Sequence, residues 1–106
     1  MLTIIRDADT IELLGAVGIM RAFSSKHKKR LYDPLNPMGK TWKMNAKDFN
    51  NRFDKGLGKG RYLTDQLNFQ ISCFDNLKTK SAKQIAKPLL KYTKDYILQL
   101  QKEIEN

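Results

Sequence analysis

Residues 45 to 77 read NAKDFNNRFDKGLGKGRYLTDQLNFQISCFDNL, two segments of apolar periodicity separated by a glycine-rich break. In the first, Phe49 and Phe53 stand four apart and share a helical face, Asn45 is placed to cap it, and Lys47, Asp48, Asn51 and Arg52 turn outward, which predicts a helix from 46 to about 55. Gly56-Leu57-Gly58-Lys59-Gly60-Arg61 ends that helix. Glycines alternating with bases suit a tight turn of left-handed residues or a nest of backbone N–H groups around an anion. In the second segment Leu63, Leu67, Ile71, Phe74 and Leu77 recur at helical spacing, which predicts a helix over 61–77. A small hairpin at 62–74 is the alternative, because Phe69, Ile71 and Cys73 alternate as in a strand.

Helix, glycine-containing turn, helix is the skeleton of many DNA-reading domains. The expectation is a helix-turn-helix-like centre whose second helix turns Thr64 and Asn68 outward, four apart, towards base edges. The turn is longer than the usual three or four residues.

On the N-terminal side, residues 1–6 read as a short strand or tether. Asp7, Asp9 or Thr10 can cap a helix running from about 10 to about 31, with Leu13, Leu14, Ala16, Val17 and Met20 on its buried face and Ile19 and Phe23 beside it. Gly15 and Gly18 within it suit the close approach of another element. The apolar run from Ile11 to Phe23 is no export signal or membrane span, since acidic residues precede it and Arg21 interrupts it. Two prolines and a glycine make residues 33–39 a loop. Gly39-Lys40-Thr41 resembles the end of a phosphate-binding loop, but the glycine required five residues earlier is Pro34, which has no N–H.

On the C-terminal side, Ser81 and Gln84 have the spacing of a capping box. From there Ile85, Leu89, Tyr92, Tyr96, Ile97, Leu100 and Ile104 trace an amphipathic stripe, with a kink expected near Pro88. Residues 81–106 are thus a packing or dimerisation helix. A seam of Ala86, Leu90, Thr93, Ile97, Leu100 and Ile104 favours pairing, with Leu89, Tyr92, Tyr96, Ile97, Leu100 and Ile104 as the expected dimer interface.

The 106 residues amount to one domain, 1–106, mostly α and helically compact. The net charge is +9, and residues 24–61 hold eleven basic against three acidic side chains. Such a block creates a field that attracts polyanions. Lys26, Lys28, Lys29, Arg30, Lys40, Lys43, Lys55, Lys59 and Arg61 are the expected phosphate contacts.

Chemistry of other kinds has little support in these residues. A single cysteine and a single histidine exclude an internal disulfide and the usual zinc finger, and point to a reducing, cytoplasmic home. Asp48 and Asp54 fall on different sides of one helix, Cys73 reads as a small core hydrophobe, and Trp42 as a core anchor before a stacking platform. No cofactor, metal or enzymatic activity is expected. The combined reading is a DNA-binding regulator or architectural factor acting as a homodimer on duplex DNA. Its alternatives are an RNA binder or small ribonuclease using His27 in SSKHKKR, and an interaction protein whose basic face docks an acidic partner.

Overall fold

One helix over residues 10–31 would need Gly15 in the right-handed region, and Gly15 lies at φ +73°. In the computed structural model, which describes residues 2–26 and 28–105, with side chains from residue 6 onward, the chain divides at that point. Helices α1 (Leu2–Ile11) and α2 (Gly15–Ser25) precede α3 (Ala46–Asp54), α4 (Leu63–Ser72) and α5 (Lys80–Glu105), and a 3-10 turn, Cys73–Asn76, continues α4. Among the described residues there is no strand, only the isolated bridges Arg30 with Tyr62 and Asp33 with Asn36. The N-terminal strand and the 62–74 hairpin are therefore replaced by helix. No helix among the described residues is long and apolar enough to cross a membrane.

The α1–α2 joint is built by close approach. A Cβ on Gly18 would lie 2.1 Å from the Leu13 carbonyl oxygen, and one on Gly15 would lie 3.1 Å from the Leu89 side chain. With nothing in the way, the Gly15 N–H donates to Thr93 Oγ1 at 2.8 Å. The break also resets the helical phase: Leu14, Ile19 and Ala22 turn inward, while Val17 and Met20, expected inside, are 59% and 74% exposed.

Helix α5 is 26 residues long and continues through Pro88. It buries Ala82, Ala86, Thr93 and Ile97, one face, against α1, α2 and α4. Its N-terminus is capped by Thr79, whose Oγ1 accepts the Ala82 N–H at 3.2 Å, so Ser81 lies inside the helix and caps nothing. Asp7 of α1 completes the cap: its carboxylate accepts the N–H groups of Lys78 and Thr79, each at 2.9 Å, and the Thr79 hydroxyl at 2.8 Å. The Lys78 N–H is the main reason its carboxyl is held below the usual carboxylate range. Asp7 thus caps the last helix and not the one expected to follow it.

Helix α4 is the centre of the molecule. Leu63 and Leu67 join Ile19, Ala22 and Ile97 in one apolar cluster, and a second cluster of Leu14, Leu77, Ala82 and Ala86 lies beside it. The polar side chains of α4 are buried as well, because irregular backbone surrounds them and needs partners. Gln70 Nε2 donates to the carbonyls of Leu13 and Gly18, both at 2.9 Å. Asn68 Nδ2 donates to the Met38 carbonyl at 2.8 Å and to Thr41 Oγ1 at 3.1 Å. Asp65 accepts the Thr41 hydroxyl at 2.5 Å and the Tyr62 N–H at 3.2 Å. The N–H groups of Leu63 and Thr64 donate to the carbonyls of Arg30 and Leu31, which pins the 30–31 segment across the start of the helix.

Helix α3 has the expected cap, with Asn45 and Asp48 each accepting the other's backbone N–H. Its Phe49 and Phe53 meet Phe69 of α4 edge-on, at centroid distances of 5.5 and 5.7 Å.

Candidate nucleic-acid interface

The expected recognition surface does not exist on α4. Thr64 and Asn68 are each 2% exposed, so neither side chain can approach a base edge, and the helix-turn-helix reading of this region loses its reading residues. The physical reason is the one above: their polar atoms face the 38–41 turn and the core, not solvent.

The basic residues fare differently. Cys-free and rich in glycine, the 56–60 segment folds back over α4 with Gly56, Gly58 and Gly60 all at positive φ, and Arg52 Nε holds the Gly58 carbonyl at 3.0 Å. The fold-back sets Lys59 Nζ 4.3 Å from the centre of the Phe69 ring, a cation–π contact. Lys29, from the segment after α2, reaches the same place and donates from Nζ to the Gly60 carbonyl at 2.6 Å. Burial, then the charge of Lys26 and, less, that of Lys29, push the Lys59 ammonium below its usual range.

Arg30 and Arg61 adjoin this cluster through the Arg30–Tyr62 bridge, and both are exposed. Arg61 and Lys40 in turn line a polar cavity of about 220 Å³ with Asp33, Asn36 and Asp65 at the start of α4. Lys28 is exposed beside Lys29, and Lys55 is exposed at the end of α3. Lys43 stands apart, at the mouth of a second and larger cavity. Among the described residues the ion pairs are Arg21 with Glu12 and Lys91 with Asp95, so none of the nine expected phosphate contacts is neutralised by a described carboxylate. The meeting of Lys29 with the 59–60 turn is visible only in the fold.

The Cys73 thiol is buried and pushed up to about 11 chiefly by that burial, against the opposing charge of Lys59. Among the described residues no group of three His, Cys, Asp or Glu is placed to hold a metal. His27 lies outside the described residues, and with it the ribonuclease alternative.

The dimer seam expected on α5 is spent inside the domain: Ala86, Thr93 and Ile97 are fully buried. Ile97 is therefore unavailable to a partner, and Leu89, Leu100 and Ile104 are half-buried. The large apolar side chains that α5 turns outward are Ile85, Tyr92, Tyr96 and Leu98, 59%, 53%, 37% and 39% exposed, the first three spaced seven and four apart. No protein-family model, curated protein or solved structure matches this chain, so the functional argument rests on the residues themselves.

Proposed function

We propose that the chain binds the phosphate backbone of nucleic acid, duplex DNA first, as an architectural factor that does not read sequence through α4. The observation that carries this reading is the meeting of Lys29 with the 59–60 turn that bears Lys59, beside the exposed Arg30 and Arg61 and without a described carboxylate partner. Ammonium groups held together at a cost in mutual repulsion gain most from a polyanion, which relieves that repulsion and releases its own condensed counterions. Binding of this kind has no chemical step, and a cytoplasmic site of action fits a lone buried thiol.

The test is fluorescence anisotropy on a random duplex across a salt series, with wild type and a Lys28→Glu, Arg30→Glu, Arg61→Glu variant. All three residues are exposed, so the variant keeps the fold. The logarithm of affinity should fall linearly with that of salt, and the variant should lose a slope of about 0.9 per phosphate contact removed. Absence of binding at low salt, or a variant with wild-type affinity and slope, refutes the reading.

Pairing of two copies belongs to the same proposal, since it would double the basic surface offered to a duplex. The exposed stripe of Ile85, Tyr92 and Tyr96 supports it. Sedimentation equilibrium of wild type and of Tyr92→Asp with Tyr96→Asp decides the matter: a monomeric wild type at micromolar concentration removes the dimer.

A further inference from the structure

The larger cavity, about 580 Å³, lies between the 42–45 turn, the end of α4 with its 3-10 continuation, and α5. That volume is in the range of small-molecule sites, about 300–1,000 Å³. Its walls are the half-buried Trp42, Ile71, Phe74 and Leu90, two aromatic rings and two branched aliphatic groups. Its mouth carries the exposed ammonium groups of Lys43 and Lys94. Asp75 also stands there, with one carboxylate oxygen taken by the Ala46 N–H at 3.0 Å.

Two further observations describe the cavity's floor and lip. Asn68 lines this cavity while 2% exposed, and its amide is committed: Nδ2 donates to Met38 and Thr41, while Oδ1 accepts nothing. That acceptor is shut off from solvent, so the cavity's ligand contacts are its rings and lysines. Lys43 holds φ +70°, the left-handed region that a non-glycine residue enters at a cost, on the cavity's own lip.

A flat ring to lie among Trp42, Phe74 and the aliphatic side chains, and negative charge for two lysines, are the parts of a nucleotide. We infer that this cavity binds a nucleotide, the base inside and the phosphate at Lys43 and Lys94. The same chemistry arrives on a free mononucleotide or on an unpaired residue of a strand. The inference stands on the cavity's own residues and not on the basic cluster around Lys59.

Trp42 is the chain's single tryptophan, so its fluorescence reports the cavity directly. Adenosine and uridine monophosphates are titrated against the full chain, alongside the matching nucleosides and a single-stranded oligonucleotide. Saturable quenching by a monophosphate is expected. Lys94→Glu, on the exposed face of α5, should weaken the monophosphate about two- to fivefold and leave the nucleoside unchanged. Ile71→Phe, which fills the space, should abolish both, with circular dichroism reporting whether α4 persists.

Displacement of the monophosphate by single strand identifies a strand as the source, and indifference to strand identifies the free nucleotide. Neither monophosphate nor strand quenching Trp42 at millimolar concentration overturns the inference, as does quenching that Lys94→Glu leaves untouched for nucleotide and nucleoside alike. Quenching that survives in the Arg30→Glu, Arg61→Glu background while duplex binding is lost separates this site from the basic cluster.

Discussion

Of the ten residues of α4 eight are buried, and six of those are polar; of the twenty-six residues of α5 four are buried, and one of those is polar. The two helices do different work. Helix α5 meets mostly regular structure, so small apolar groups at Ala82, Ala86 and Ile97 suffice, and the single hydroxyl of Thr93 answers the buried Gly15 N–H where α2 begins. Helix α4 meets the α1–α2 joint and the 38–41 turn, whose carbonyls and hydroxyls have no helix or sheet to satisfy them. Its amides and carboxylate replace the missing ladder. A helix polar on most sides is here the inside of the molecule, because what surrounds it is loop.

That contrast can be broken by mutation. The largest effect is expected at Asp65→Ala, which removes the acceptor of both the Thr41 hydroxyl and the Tyr62 N–H in a site 1% exposed; loss of about 3 kcal/mol or more in urea unfolding is expected. Gln70→Leu keeps bulk but leaves the Leu13 carbonyl without its side-chain donor, at about 2 kcal/mol by the same measurement. On α5, Thr93→Val should cost about 1–2 kcal/mol, the share of one orphaned Gly15 N–H.

Thr64→Val sharpens the comparison from the other side. Thr64 Oγ1 is buried without a hydrogen-bond partner, so its replacement by a methyl should be neutral or raise the melting temperature, and duplex affinity should not change. A loss of site discrimination in that variant would restore α4 as a reading helix.

The smallest effect is tied to pH. The Asp7 carboxyl titrates below its unfolded value in the folded chain, so its contribution is fully present above about pH 4 and fades as pH falls through the folded value. Asp7→Asn should therefore flatten the acid side of the melting-temperature profile, measured by circular dichroism from neutral to about pH 2.

Much of this organisation is legible in the chain. The cap at Asn45, the α3 face of Phe49 and Phe53, the helical spacing of Leu63, Leu67 and Ile71, and the length of α5 all follow from local rules. The burial of Thr64 and Asn68 does not, because whether a polar face meets water or loop carbonyls depends on residues 13 and 38, far away in sequence. The division at Gly15 is missed for a related reason: its left-handed conformation is selected by contact with Leu89 and Thr93 on a helix seventy-odd residues later. For the site, the excess of charge over residues 24–61 is plain from composition, whereas the meeting of Lys29 with the turn that bears Lys59 requires the glycine fold-back. The unpartnered acceptor of Asn68 beside Trp42 leaves no sequence signal at all.

The cap that Asp7 places on α5 also orders events in time. It joins positions 71 and 72 residues apart, and the Gly15–Thr93 hydrogen bond spans 78. During synthesis α1 and α2 leave the ribosome long before the helix they hold, so neither joint can close until α5 has emerged. Until then α1 and α2 lack the helix that closes the core over Leu14, Ile19 and Ala22. Docking of the two end helices, not formation of either one, is then the step that waits on nearly the whole chain.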